Sequence, residues 1–160
     1  MTADGGAMRA NEGKPRLDLI PPGIMADLAE FEGPWDGPGP DAPIAWHTVL
    51  RDLGEFSMKH EGRPAVQLMS ALALMDNDGR VWADCANVFE YGLTKYAPWN
   101  WTRGQAWSKP IASALRHIVW GVMQGELDDP ESGLPHRGHV ACNIVMLLWF
   151  LTEYPEGDDR

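Results

Sequence analysis

Apolar residues recur at helical spacing over most of this chain, and nowhere do they alternate convincingly with period two. Trp46, Val49, Leu50, Leu53 and Phe56 mark one face of a helix over residues 46–59, and a second apolar helix follows over 64–75. Residues 81–96 carry a stripe of Cys85, Val88, Phe89, Leu93 and Tyr96, stopped by Ala97-Pro98. Ser108 as N-cap and Pro110 in the first turn open the next helix, which runs to about Gln124 with Gly125 as its C-terminal cap. The last long helix covers 135–152, and a short one fits 24–31. Between them lie a proline-bounded extended segment at 14–22, a Gly/Pro-rich loop at 32–43, a turn at 76–79 and a Trp-rich loop at 99–107. The pattern predicts an all-α fold, with antiparallel neighbours joined by short loops. Residues 1–12 read as a disordered N-terminus, 13–153 as a single helical domain, and 154–160 as an acidic, frayed tail.

Composition narrows what such a bundle can do. The 160 residues carry a net charge of −10, which argues against a broad nucleic-acid surface, because such a surface is basic. A nucleotide ligand stays admissible, since a cation can mask phosphate charge locally. Eight tryptophans supply packing or stacking surface. Cys85 and Cys142 sit in apolar helical contexts and read as reduced core residues, not a disulfide framework. No apolar run is long enough to span a bilayer, and residues 1–12 lack the apolar stretch of a signal peptide. A cytoplasmic protein with no membrane partner is therefore expected.

Candidate chemistry concentrates in one place. Residues 125–139 set Glu126, Asp128, Asp129, Glu131, His136 and His139 around a Gly/Pro-broken loop that leads into the last helix, with Asn143 one turn on. With Pro135 in the first turn, His136, His139 and Asn143 stand at i, i+3 and i+7 on one face. Acidic loops are usually just solvated, and a helix N-terminus favours carboxylates through its dipole. Asn143 amid Val140, Ala141, Ile144, Val145, Leu147 and Leu148 is harder to explain that way, since an unpaired buried polar group costs roughly 1–3 kcal/mol. Converging oxygen and imidazole donors suit Mg²⁺ or Mn²⁺, and carboxylate-held ions manage phosphate charge.

Other residues add to this picture, each with a plainer alternative. Arg116-His117 offers a phosphate-binding guanidinium and a further imidazole, or else a surface Arg and a satisfied core His. Glu90 and Lys95 flank Gly92, a mid-helix glycine that costs about 1 kcal/mol and is tolerated where a ligand or another helix approaches closely. Glu90 on a solvated face and Lys95 on a helix dipole are the plainer uses. Trp99, Asn100 and Trp101 present the indole faces and amide that stack on a base and read its edge, though hydrophobic capping of the bundle is as natural a use. There is no P-loop, GxGxxG, GxSxG or HExxH, and neither cysteine lies beside an activating base.

Several runs stand in order along the chain: Gly13-Lys14-Pro15-Arg16-Leu17-Asp18-Leu19-Ile20-Pro21-Pro22, Tyr91-Gly92-Leu93-Thr94-Lys95-Tyr96 with Asn100-Trp101, Leu115-Arg116-His117, and Gly125-Glu126 through Ser132-Gly133 with His136, His139 and Asn143. Together they resemble the bacteriophage dATP/dGTP diphosphohydrolase (MazZ) family, itself similar to the MazG-like all-α nucleotide pyrophosphohydrolases. The likeness covers residues 13–22 and about 81–151, leaving 23–80 as an unmatched insertion. The chain departs from the Glu-Glu-x-x-Glu and Glu-x-x-Asp helices of the MazG superfamily. His136-x-x-His139 opens its last helix instead, with Glu126 and Asp129 in the loop before.

The resemblance implies a MazG-like helical bundle, homodimeric or homotetrameric, acting in the cytoplasm of a phage-infected bacterium. It implies hydrolysis of a purine deoxynucleoside triphosphate, dGTP before dATP, to the monophosphate and pyrophosphate, with dGMP feeding synthesis of the 2-aminoadenine nucleotide. Two or three Mg²⁺ or Mn²⁺ ions would sit on Glu126, Asp129 and Glu131, joined by Glu90, His117 or His139. Glu126, Asp129 and His117 would be catalytic, and Lys95 and Arg116 would neutralise phosphate oxygens. Asn143 would orient a ligand or a metal-bound water, with Trp99, Asn100 and Trp101 around the base. Two other functions compete. His117, Asp128 or Asp129, and His136 imitate a histidine-aspartate hydrolase that releases nucleoside and triphosphate, but no adjacent His-Asp pair is present. A non-enzymatic helical module would bind nucleotide or metal without turnover, and its EF-hand version fails on ligand spacing.

Overall fold

The computed structural model describes residues 13–31, 43–58, 63–76 and 79–160. Among these run six α-helices: α1 Pro22–Ala29, α2 Trp46–Ser57, α3 Pro64–Met75, α4 Arg80–Gly92, α5 Ser108–Arg116 and α6 His136–Glu153. The described residues hold no strand, only an isolated antiparallel bridge between Asp128 and Pro135. The expected disorder at 1–12, nearly all of the 32–43 loop, and Asn77 and Asp78 of the 76–79 turn lie outside the described residues.

α6 is the spine of the bundle. Val140, Ala141, Cys142, Ile144, Val145, Leu147 and Phe150 are buried around most of its circumference, so it needs neighbours on several sides. α4, α5 and α3 supply them. α4 turns Val81, Cys85, Ala86 and Phe89 inward, and the Cys85 and Cys142 thiols lie 3.7 Å apart, unlinked and buried. α2 buries Val49, Leu53 and Phe56 at i, i+4 and i+7 and pairs with α3. Leu72 of α3 is fully buried, and trimming such a side chain to Ala costs about 2–5 kcal/mol.

Four stretches depart from the periodicity. The 14–22 segment is not extended: Leu17–Leu19 form a 3-10 turn on α4, Leu19 and Ile20 are buried, and Pro22 starts α1. An apolar pair in so short a run carries no period, so only its burial shows the turn. α4 ends at Gly92, not Tyr96. The Thr94 hydroxyl donates to the Tyr91 carbonyl at 2.7 Å, and the Lys95 and Tyr96 amides both donate to that of Gly92.

The 108–124 helix is α only to Arg116. It continues as a π-helix over His117–Gly121 and a 3-10 turn over Val122–Gln124, before Gly125 caps it at a φ of 83° as expected. Ser108 is the first helical residue and not the cap. The capping carboxylate is that of Asp159, which accepts the Ser108 N–H at 2.8 Å and its hydroxyl at 2.6 Å. The acidic tail is therefore docked and not frayed. Arg160 lies over the Phe56 and Trp107 rings at 4.4 and 5.0 Å and donates to the Phe56 carbonyl at 2.9 Å. The Trp107 indole donates to the Tyr154 carbonyl at 3.0 Å.

Candidate functional site

α5, α6 and the loop between them gather three imidazoles and a carboxylate. The π-helix is a local break of the kind found at functional sites, and it brings Gly121 against α6. A Cβ on Gly121 would lie 2.6 Å from His136 Nε2, so glycine is what lets the buried His136 ring rest against this turn. His117 Nδ1 and His136 Nδ1 are hydrogen-bonded at 2.9 Å, and His136 Nε2 donates to Glu126 Oε1 at 2.7 Å. A carboxylate only accepts, so Nε2 is the donor in that pair, which leaves Nδ1 to face His117. His139 stacks on His117 with centroids 4.4 Å apart and planes at 11°.

Backbone bonds hold the loop before any ligand arrives. The Asp129 amide donates to the Leu134 carbonyl at 2.8 Å, that of Gly133 to Asp129 at 2.7 Å, and that of His136 to Leu127 at 2.9 Å. Asp129 Oδ2 accepts both the Ser132 N–H and its hydroxyl at 2.9 Å, a side-chain turn typical of Asp. Ser132 Oγ in turn lies 2.7 Å from His139 Nε2. Burial pushes the Asp129 carboxyl up, but the Ser132 amide and hydroxyl and the His139 and His117 imidazoles outweigh it and the net shift is downward. Burial, with His139 and His136 alongside, lowers His117 to about 4, and burial likewise lowers His139. Near neutral pH Asp129 therefore offers a carboxylate, and His117 and His139 offer neutral imidazole lone pairs.

Donor atoms of His117, Asp129 and His136 lie within 4.8 Å of one another. Two imidazoles and a carboxylate fit a divalent cation. A cavity of about 530 Å³ extends from His117, His139 and Asp129 along α5 and α6. Lys109, Ser113 and His117 line it at i, i+4 and i+8, facing His139, Asn143 and Met146. Trp99, Asn100, Trp101 and Gln105 line it too. Trp101 is enclosed by Phe89 at 5.5 Å, Trp149 at 5.8 Å, Trp99 at 6.1 Å and Phe150 at 6.3 Å, whereas Trp99 is 39% exposed. Trp99 also holds a φ of 61°, a left-handed conformation rare for so bulky a residue.

The candidates named from the sequence divide accordingly. His117, Asp129, His139 and Asn143 come together, with Asn143 donating to the His139 carbonyl at 2.8 Å and to Ser113 Oγ at 3.1 Å. Glu126 reaches the cluster only through His136. Glu131 lines the cavity but is paired with Lys95 at 2.6 Å, both side chains being exposed. Asn100 lies at the rim and Trp101 in the wall. Glu90, exposed on α4, interacts electrostatically with Arg16, and Arg116 is exposed on the last turn of α5; neither lines the cavity. Gly92 does line it, and a Cβ there meets nothing within 4 Å, so no helix approaches it. The sequence places His136 on the ligand-bearing helix face and in the rival hydrolase set but not among the diphosphohydrolase ligands, and it does not single out Ser132, Lys109, Ser113 or Gln105. The Asp129-x-x-Ser132 turn spacing and the four-residue spacing of Lys109, Ser113 and His117 were the available signals.

A dATP/dGTP diphosphohydrolase of Salmonella phage PMBT28 is 31% identical over 83 residues, 52% of this chain. Those residues span only 28% of that relative's length. No solved structure matches at a significant level. No helix among the described residues is long and apolar enough to cross a membrane. The family model for the dATP/dGTP diphosphohydrolase N-terminal region matches residues 55–160, which take in α3 to α6, the imidazole cluster and the cavity, and the chain belongs to that family.

Proposed function

We propose that the chain hydrolyses a purine deoxynucleoside triphosphate, dGTP before dATP, to the monophosphate and pyrophosphate with a divalent cation. The observation that carries this reading is the convergence of His117, Asp129 and His136, the first two of which line a cavity that also has an aromatic wall. Those three residues would hold Mn²⁺ or Mg²⁺, which when bound polarises a phosphoryl oxygen and acidifies water. The chain's own groups set the rest. Glu126 fixes the His136 ring through Nε2, as carboxylates do for metal-bound histidines. Ser132 orients Asp129 and His139. Lys109 and Lys95 neutralise phosphate oxygens, Lys95 leaving an exposed pair with Glu131 that is worth little. Trp99 gives the base a ring to stack on. Water oxygen bonds to the α-phosphorus, the bond to the bridging oxygen breaks, and pyrophosphate leaves.

The phage relative's name as a dATP/dGTP diphosphohydrolase supports the substrate class. The supply of dGMP for 2-aminoadenine nucleotide synthesis in the host cytoplasm rests on resemblance alone. Trp120 and Leu127, 70% and 77% exposed, are apolar surface that supports a homodimer or homotetramer. The two-imidazole, one-carboxylate set also favours a second reading, a triphosphohydrolase releasing nucleoside and triphosphate. Incubating the protein with each deoxynucleoside triphosphate and Mn²⁺ or Mg²⁺, then resolving products by anion exchange, tests both. Monophosphate with pyrophosphate, strongest from dGTP, supports the first. Nucleoside with triphosphate supports the second, and binding without turnover defeats both.

A further inference from the structure

The middle of the cavity carries a polar pair whose hydrogen bonds can be fully assigned. Asn143 Nδ2 donates to the His139 carbonyl at 2.8 Å and to Ser113 Oγ at 3.1 Å. A carbonyl oxygen only accepts, so the amide nitrogen must be the atom on that side, which fixes which way the amide faces. Both amide hydrogens are then used, and Oδ1 remains as a pure acceptor. Ser113 Oγ has accepted from Asn143, so its own proton is left to give. Among the described residues no further partner is recorded for either group. Both residues line the cavity. The wall therefore offers one acceptor and one donor side by side.

Their place along the cavity selects what they meet. Ser113 stands four residues before His117, and Asn143 four residues after His139, each about one helical turn, roughly 6 Å along the axis, from the imidazole cluster. If the reaction takes place at the α-phosphorus beside that cluster, the group one turn away is the sugar, which is joined to the α-phosphate through its 5′-oxygen. The base lies beyond it, toward Trp99 and Gln105. A deoxyribose inside a nucleotide has one free hydroxyl, at C3′. A hydroxyl donates once and accepts, which complements Asn143 Oδ1 and the Ser113 O–H.

We infer that Ser113 and Asn143 form the recognition site for the sugar 3′-hydroxyl, with Oδ1 accepting its proton and the serine hydroxyl donating to its oxygen. The inference rests on the diphosphohydrolase reading given above. Removing the 3′-hydroxyl leaves a part-buried acceptor and donor unmatched, and sites built to hydrogen-bond a substrate hydroxyl reject analogues that lack it.

The test compares kcat/KM for dGTP and for dideoxyguanosine triphosphate, in the wild type and in Ser113→Ala. The wild type is expected to prefer dGTP by about 10- to 100-fold, and the variant to lose most of that ratio by slowing on dGTP alone. Equal rates on both substrates in the wild type overturn the inference and leave the diphosphohydrolase reading standing. A ratio unchanged in Ser113→Ala overturns it too, since the hydroxyl would then be read elsewhere. No turnover of any deoxynucleoside triphosphate removes the functional reading and the inference together. If Ser113→Ala does not fold, inhibition of the wild type by dGMP and by dideoxyguanosine monophosphate decides: about tenfold weaker inhibition by the dideoxy compound supports it, and equal inhibition overturns it.

Discussion

Two walls of one cavity are held in different ways. At the imidazole cluster, directed bonds fix each side chain: Glu126 to His136, His136 to His117, Ser132 to both Asp129 and His139. At the aromatic wall, Trp101 is wedged among Phe89, Trp149 and Phe150, and Trp99 leans outward with one flank in solvent. Hydrogen-bonded clusters fail when one partner goes, because the survivor is left unmatched. Packed rings lose contact area in proportion to what is removed. Substitutions at the cluster should therefore act on turnover and metal affinity, and substitutions at the aromatic wall on KM.

The largest effect expected is at Asp129. Asp129→Asn removes the charge that the cation needs, and kcat/KM for dGTP should fall on the order of 10³-fold or more. Activity within about tenfold of wild type would take Asp129 out of the centre. Glu126→Ala frees the His136 ring and should weaken Mn²⁺ binding by about 10- to 100-fold, read by calorimetric titration. If affinity is unchanged, Glu126 does not act through His136. Gly121→Ala sets a methyl against His136 and should cost about 1–3 kcal/mol, visible as a Tm lower by several degrees.

Trp99→Gly sharpens the contrast. It removes the stacking face, so KM should rise about tenfold with kcat nearly unchanged. It also relieves a left-handed backbone, so Tm should not fall. A kcat collapse would mean that the aromatic wall is as interdependent as the imidazole cluster.

The smallest effect is on acid stability of the metal-free protein. His117 is held at about 4 in the fold against an ordinary 6.5. Between those values the unfolded chain binds the proton and the native state does not. The contribution is therefore present above pH 6.5 and lost as pH falls toward 4. His117→Asn should flatten the fall in Tm across that window, and an equally steep fall would show that other groups carry it.

Long helices with strong apolar periodicity were legible in the chain. α3 begins and ends where its pattern does, and Gly125 closes the path from α5 as its position announced. The density of carboxylates and imidazoles at 126–139 pointed to the loop that the fold brings against His117. What escaped was set by distant partners. The π-helix register answers to His136 lying against Gly121, fifteen residues on in the chain. Asp159 and Arg160 look like solvated charge until the α5 N-terminus and the Phe56–Trp107 pair meet them. Trp101 offers a stacking face in sequence, but Phe89 stacks on it, with Trp149 and Phe150 set edge-on to it. Lys95 and Glu131, read as phosphate and metal groups, pair with each other.

The proposed attack on the α-phosphorus at the His117, Asp129 and His136 cluster would leave an isotopic mark on the products. dGTP would be turned over in water enriched in heavy oxygen with Mn²⁺, and the products weighed by mass spectrometry. One heavy oxygen in dGMP and none in pyrophosphate is the predicted result, abolished in Asp129→Asn. Heavy oxygen in pyrophosphate, or in a released triphosphate, would contradict it.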